Sequence, residues 1–158
     1  MDASEIDDLY HEAVLDHSRS PRNHRRIEHP TVSGQAANPF CGDEIYLQLK
    51  LHDGFAIAAQ AAGCSINRAS ASILTEVLRG KTPEDMVELS ALLRAALAGS
   101  GGLVDTLFED SDLPALMGVR KFPVRIKCAL LSWTALEKAL KNYQRQEQGY
   151  IVTDGRCY

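Results

Sequence analysis

Residues 44–63, EIYLQLKLHDGFAIAAQAAG, contain the pattern that decides the fold. In the first half of this stretch apolar residues alternate with polar ones, which is typical of a strand with one buried face. The Asp53-Gly54 pair that follows suits the positive φ angles of a tight hairpin turn. The apolar run FAIAAQAAG then returns, so the stretch predicts two antiparallel strands, and residues 32–37 can add a third.

Helical periodicity surrounds this hairpin. Apolar residues spaced by three and four predict helices over residues 5–17, after Cys64, after the start signal Thr82-Pro83, and around Trp133. Residues 103–122 are less regular and predict a short helix or two within a loop. The class is therefore α+β, with a small three-stranded antiparallel sheet covered by about five helices.

The composition is typical of a globular protein and argues against several functions. Of the 158 residues 45% are hydrophobic, and neither a linker nor a repeat divides them, so we expect a single domain over residues 1–158. The net charge of −4 argues against nucleic-acid binding. Without a signal peptide or an apolar run long enough to cross a bilayer, the chain is expected to be cytoplasmic and not membrane-bound.

Three of the four cysteines lie where predicted elements meet. Cys41 is in NPFCGDE before a strand, Cys64 in AAGCSIN between a strand and a helix, and Cys128 after FPVRIK at the predicted opening of the last helix. Two disulfides are the less favoured interpretation, because cytosolic cysteines usually serve metals or catalysis. A helix N-terminus lowers the pKa of a thiol, and the resulting thiolate binds metals and attacks sulfur.

These cysteines allow two interpretations. Asp43 can reach the same point as Cys41 from an extended chain, and three thiolates with one carboxylate make a tetrahedral set for zinc, while thiolates also suit iron–sulfur clusters. Alternatively, the cysteines are buried thiols that pack as small hydrophobic residues.

Cys157 is predicted to be a free thiol near the terminus. The histidines lie away from the cysteine motifs and are predicted to be surface or structural groups.

Three segments carry a resemblance to a known family: NPFCGDE at 38–44, GCSINRASAS at 63–72 and RIKCALLSW at 125–133. They resemble the cysteine motifs of the iron–sulfur cluster assembly scaffold family, which comprises IscU, SufU and the N-terminal domain of NifU. LYHEAVLDHSRSPRN at 9–23 is similar to that family's N-terminal signature. The resemblance implies an IscU/SufU-like fold, metal or cluster ligands at the positions Cys41, Asp43, Cys64 and Cys128, and sulfur delivery by a pyridoxal-phosphate cysteine desulfurase.

Within this family the chain looks like the SufU branch. The stretch between the second and third cysteines is longer than in IscU, with residues 99–118 as the expected insertion; FPVRI replaces the LPPVK segment, and Lys127 replaces a histidine. SufU-like proteins hold zinc and accept sulfur from a SufS-type desulfurase. The resemblance therefore implies a zinc-dependent sulfurtransferase in which Cys41 accepts sulfur and Arg125 assists, acting ahead of downstream cluster-assembly proteins.

Two other functions stay open at this point. The protein can be a scaffold on which a [2Fe–2S] or [4Fe–4S] cluster is built and passed on to apoproteins. It can also be an interaction domain in which zinc is purely structural.

Overall fold

A computed structural model describes residues 12–99 and 110–147, together with the backbone of two short strands near the C-terminus. The elements follow one another as α1 (residues 12–19), β1 (Val32–Asn38), β2 (Asp43–Lys50), β3 (Ala56–Ala62), α2 (Ser65–Val77), α3 (Pro83–Leu97), a 3-10 helix (Leu113–Lys121), α4 (Pro123–Glu147), β4 (Val152–Thr153) and β5 (Arg156–Cys157). The described residues thus confirm the predicted α+β fold, with a three-stranded antiparallel sheet and five helices. The start of the helix predicted over 5–17 and residues 100–109 of the predicted insertion lie outside the described residues.

The three-stranded sheet has the order β1-β2-β3, and both neighbouring pairs are antiparallel. Asp53 and Gly54 have φ angles of 58° and 105°, as the predicted hairpin turn requires. The ladder between β1 and β2 ends with Asn38 opposite Asp43, and β3 ends beside the same point because Ala62 pairs with Glu44. The β1–β2 turn and the exit of β3 are therefore neighbours at one end of the sheet.

Helix α4 packs directly on this sheet. It lies across β1 and β2, while α2 packs against both β3 and α4, and the fully buried Trp133 lies in the resulting core. Gly34 of β1 allows the closest approach: a Cβ atom there would overlap the carbonyl oxygen of Ala135 and lie 2.9 Å from the amide nitrogen of Ala139. The strand and the helix backbone are thus in direct contact.

Helix α3 is held on α4 by a charged pair. The guanidinium of Arg94 donates to both carboxylate oxygens of Glu137, over 2.7 and 2.8 Å, and Ser90 Oγ donates to the same carboxylate over 2.7 Å. Burial alone would raise the pKa of Glu137, but the hydrogen bonds from Arg94 and Ser90 hold it below its usual value. The Glu137 carboxylate is therefore ionised, and its pair with Arg94 stabilises the packing of α3 on α4.

His17 of α1 is buried and has hydrogen-bond partners on two other parts of the chain. Its Nδ1 lies 2.7 Å from Ser72 Oγ on α2, and its Nε2 lies 2.7 Å from a carboxylate oxygen of Asp112. The imidazole thus joins α1, α2 and the segment before the 3-10 helix.

Within the described part of the chain, none of the helices combines the length and apolar character needed to cross a bilayer.

The contact between β1 and α4 makes a first prediction. Gly34→Ala is expected to lower the free energy of unfolding by about 1–3 kcal/mol, because the added methyl group forces the helix away from the sheet. Urea unfolding followed by far-ultraviolet circular dichroism measures this change. Gln35→Ala, at the exposed neighbouring position, is the control and should change stability much less. Equal stability of Gly34→Ala and the wild type would contradict the close packing.

Candidate metal centre

The four predicted ligands meet at the end of the sheet that carries the β1–β2 turn. Cys41 lies in that turn, Asp43 is the first residue of β2, and Cys64 is the N-cap of α2. Cys128 comes from α4 and lies close to both Asp43 and Cys64. Three separate parts of the chain therefore contribute to one site.

The distances suit a metal ion. One ligand atom each from Cys41, Asp43 and Cys128 lies within 4.8 Å of the other two, and Cys64 Sγ lies 3.4 Å from Asp43 Oδ2. Zinc binds sulfur at about 2.3 Å and oxygen at about 2.0–2.2 Å in a tetrahedron, so its ligand atoms are about 3.4–3.8 Å apart. Small side-chain movements would bring this set to those separations.

The carboxylate of Asp43 occupies an environment that favours a cation. Asp43 is 0% exposed, and its Oδ1 accepts a hydrogen bond of 2.8 Å from the backbone N–H of Cys64. Its Oδ2 faces the thiol of Cys64. Within residues 12–99 and 110–147, no basic side chain forms an ion pair with it. A buried carboxylate needs a compensating partner, and a divalent ion among the thiols would supply one.

Gly63 makes room for this carboxylate. Its φ angle is 116°, and a Cβ atom at this position would overlap Asp43 Oδ1 and lie 2.8 Å from Asp43 Cα. Both the backbone conformation and the contact require glycine. Gly42, next to Cys41, also has a positive φ of 67°.

Asn67 supports the site and was missed by the sequence analysis. It is fully buried, and its Nδ2 donates to the carbonyl oxygens of Glu44 and Ala62 over 3.1 and 2.9 Å. Its backbone N–H points to Cys64 Sγ at 3.5 Å, while its buried Oδ1 has no partner in the described structure. Asn67 thereby fixes the ends of β2 and β3 beside the ligands. The only signal for this role was an amide on the buried face of a helix.

Cys128 corrects one prediction. It does not open the last helix, because α4 already begins at Pro123 and Cys128 is its sixth residue. The free N–H groups of the first turn therefore lie elsewhere, and Cys128 is only 1% exposed. Burial, together with the neighbouring Asp43 and Cys64, raises the pKa of its thiol. Its suitability as a ligand comes from proximity to the other donors, and not from a helix terminus.

Cys41 and Arg125 are both accessible to solvent, and Cys64 is partly exposed as well. Cys41 is partly exposed, and Asn38 Nδ2 lies 3.6 Å from its sulfur. Arg125 is exposed in the first turn of α4, and in the described residues its guanidinium forms no hydrogen bond with the four candidate ligands. The side chain of Cys157 lies outside the described residues.

Comparison with known proteins identifies relatives of this chain. Residues 9–101 match the family model described as NifU-like N terminal domain. A Bacillus subtilis protein described as zinc-dependent sulfurtransferase SufU is 39% identical over 137 residues, which cover 85% of this chain and 91% of that protein. An iron-sulfur cluster assembly scaffold protein IscU of Streptococcus pyogenes serotype M1 is 35% identical, over 89% of this chain and 88% of its own.

A solved structure shares the fold. It is the putative iron-sulfur cluster assembly scaffold protein for the SUF system from Fervidobacterium islandicum AW-1, with a TM-score of 0.75 and 28% identity. The match covers 84% of this chain and 97% of that protein. The predicted resemblance to this family, and to its SufU branch, is confirmed.

The fit between Gly63 and Asp43 makes a second prediction. Gly63→Ala is expected to weaken Zn²⁺ binding by about 10–100-fold, because displacing Asp43 disturbs an oriented ligand. Competition with a colorimetric zinc chelator measures the affinity. Gly54→Ala is a matched control: Gly54 also has a positive φ, but no atom lies within 4 Å of an added Cβ. If both variants bound zinc like the wild type, the role given to the Gly63 contact would be wrong.

Proposed function

The chain belongs to the NifU-like N-terminal domain family of iron–sulfur cluster assembly proteins, and we propose that it works there as a zinc-dependent sulfurtransferase. In this proposal Cys41 accepts persulfide sulfur from a SufS-type cysteine desulfurase. The observation that carries it is a set of three thiols around a buried carboxylate, in which Cys41 alone lies in a surface turn. The SufU relative, named a zinc-dependent sulfurtransferase, supports the same function.

The donor set fits zinc. Cys41, Asp43, Cys64 and Cys128 would hold the ion, and the second oxygen of the Asp43 carboxylate is already oriented by a backbone amide, as the outer contacts of metal ligands usually are. When bound, Zn²⁺ keeps thiols deprotonated at neutral pH, including the buried one whose pKa is otherwise raised.

The sulfur transfer is a thiol–disulfide type of exchange. The thiolate of Cys41 attacks the outer sulfur of the persulfide on the desulfurase cysteine and forms a new S–S bond. The bond between the outer and inner sulfurs of the donor breaks, and the donor cysteine leaves as a thiolate. No net oxidation occurs, because one S–S bond replaces another.

The three thiols differ in how well they suit this attack. Cys128 is buried, and Cys64 caps a helix while its sulfur faces Asp43 Oδ2. Cys41 lies in a turn between strands, partly exposed, with the exposed Phe40 beside it. Cys41 can therefore meet a donor while the other three residues keep their contacts.

Arg125 is proposed to assist by its charge. The transfer moves negative charge from Cys41 to the departing thiolate of the donor, so a cation beside the site stabilises the anion as it develops. Arg125 is exposed on the first turn of α4, one helical turn before the buried Cys128. Its guanidinium is thus available to groups that approach from solvent.

A scaffold function is the second candidate. Thiolates bind iron–sulfur clusters as well as zinc, and the IscU relative is named a scaffold protein. In that case a [2Fe–2S] or [4Fe–4S] cluster is cargo that is built at the same residues and passed on to apoproteins.

A third prediction tests the acceptor. Cys41→Ser is expected to abolish stimulation of the SufS-type desulfurase and the persulfide on this chain, because a serine hydroxyl cannot hold the transferred sulfur. The measurements are alanine release and mass spectrometry after brief incubation with cysteine. Cys157→Ser is the control and should behave like the wild type. Persulfide on Cys64 or Cys128 in place of Cys41, or full stimulation by Cys41→Ser, would overturn this assignment.

Iron and labile sulfide in the anaerobically purified protein, with zinc absent, would favour the scaffold function instead.

A fourth prediction tests Arg125. Arg125→Ala should slow sulfur transfer by about tenfold or more while zinc content stays at the wild-type level, because the residue acts on charge and is not a ligand. Single-turnover transfer at saturating protein measures the rate. Arg79→Ala removes an exposed arginine that follows α2 and serves as the control. An unchanged rate in Arg125→Ala would remove this residue from the mechanism.

A further inference from the structure

A second cluster of metal-ligating side chains lies outside the candidate metal centre. His17 of α1, Glu76 of α2 and Asp112 before the 3-10 helix each offer one ligand atom, and these atoms lie within 4.8 Å of one another. Glu76 belongs to the last turn of α2, whereas Cys64 caps the start of the same helix. The rise of an α-helix places the two positions about 18 Å apart. The second cluster is therefore separate from the thiols.

The imidazole of His17 is the fixed part of this cluster. It is 1% exposed, and its Nδ1 lies 2.7 Å from Ser72 Oγ. The backbone N–H of Arg22 donates to the same hydroxyl over 2.8 Å, so the position of Ser72 Oγ is set from two sides. When Nδ1 carries the proton and donates it to Ser72, the lone pair of Nε2 faces the two carboxylates. Metal-binding histidines are usually oriented by such a hydrogen bond on the other ring nitrogen.

The two carboxylates are the adjustable part. Nε2 of His17 lies 2.7 Å from Asp112 Oδ2 and 3.9 Å from Glu76 Oε1, and both carboxylate side chains are about half exposed. First-row metal ions bind nitrogen and oxygen at about 2.0–2.2 Å, which places neighbouring ligand atoms about 3.0–3.5 Å apart. The two observed separations lie on either side of this range. Small rotations of the exposed side chains would therefore bring all three ligand atoms around one ion.

The cluster borders a cleft with room for water. His17, Glu76 and Asp112 line a cleft of about 310 Å³, together with Asp110 and Ser111. A water molecule takes up about 30 Å³ of liquid, so the cleft can hold several. An ion with three protein ligands could thus complete its coordination shell with water.

The charge around the cleft favours a cation. Arg22 is the basic side chain that pairs with this cluster, but its Nη2 donates to Asp16 over 2.6 Å. Its Nε lies 3.8 Å from Glu76 Oε1, which is beyond hydrogen-bond distance. Asp16 thus offsets the guanidinium charge. The carboxylates of Glu76, Asp110 and Asp112 leave the cleft with a surplus of negative charge.

We propose that His17, Glu76 and Asp112 form a second metal site, which binds a divalent first-row ion through one imidazole nitrogen and two carboxylate oxygens. This donor set lacks sulfur and therefore suits a harder ion such as Mn²⁺ or Fe²⁺, whereas the thiols suit zinc. Asp112 lies in the segment 99–118 that the sequence predicts as an insertion. The ion would fasten this segment to α1 and α2. The site does not depend on the proposed sulfur transfer.

The test uses the full-length chain with its thiol site already filled by one equivalent of zinc. Mn²⁺ is then titrated, and the loss of the electron paramagnetic resonance signal of the free ion measures binding. The wild type should bind one Mn²⁺ per chain. Glu76→Gln and Asp112→Asn should each raise the dissociation constant by about tenfold or more, because each removes a charged ligand. Glu88→Gln and Asp53→Asn change exposed carboxylates elsewhere and are the matched controls, expected within about twofold of the wild type.

Two further readouts identify the site. Mn²⁺ should raise the melting temperature of the zinc-loaded wild type and of both controls but not that of Asp112→Asn, because an ion that binds only the folded chain stabilises it. Pulsed electron paramagnetic resonance of the bound ion should show coupling to an imidazole nitrogen, as coordination by His17 requires. Circular dichroism without Mn²⁺ shows that each variant is folded.

Three results would overturn the proposal: no saturable binding of Mn²⁺ by the wild type, wild-type affinity in both Glu76→Gln and Asp112→Asn, or bound Mn²⁺ without nitrogen coupling. In each case the contact between His17 and Asp112 is an ordinary hydrogen bond that joins two parts of the fold. None of these results bears on sulfur transfer, because Cys41 is tested separately by stimulation of the desulfurase.

Discussion

The buried carboxylate of Asp43 is the constraint around which the candidate site is arranged. It begins β2, so the register of the sheet fixes its position, and the backbone N–H of Cys64 fixes the direction of one oxygen. Gly63 leaves the space that this oxygen occupies. A buried anion of this kind is costly without a compensating charge. A cation held among the neighbouring thiols would neutralise Asp43.

The fold supplies this arrangement through close packing. Because Gly34 lets α4 approach β1 at backbone distance, Cys128 on the second turn of α4 reaches the end of the sheet where Asp43 lies. Asn67 ties the start of β2 and the end of β3 to the start of α2. The site thus depends on contacts that also hold the core together, and rigid supports of this kind are what a preorganised metal site needs.

Much of the fold could be predicted from the sequence, and the reasons are local. Alternation in residues 44–51 and the Asp53-Gly54 turn determine the hairpin, and the capping box of Thr82 with Asp85 begins α3 as predicted. The start of α4 was misjudged because its first turn, PVRIK, carries no N-cap residue and lies in an exposed stretch. The role of Asn67 is set by tertiary contacts with two strand ends, which no local pattern contains. The four candidate ligands came from the resemblance to a family, because the spacing of the cysteines alone favoured buried thiols that pack as small hydrophobic residues.

The candidate ligands differ in how firmly the fold holds them, which would favour reaction at Cys41 in the proposed transfer. Asp43 belongs to the sheet, Cys64 caps a helix, and Cys128 is held inside α4, so moving any of them disturbs a regular element. Cys41 lies outside the β1–β2 ladder, which already closes with the Asn38–Asp43 pair. Two hydrogen bonds of 3.2 Å hold the turn, from the Cys41 N–H to the Asn38 carbonyl oxygen and from the Phe40 N–H to Asn38 Oδ1. Movement of Cys41 costs only the rearrangement of that turn. Cys41 is therefore the candidate ligand whose movement disturbs the fold least, and its neighbour Phe40 is 98% exposed.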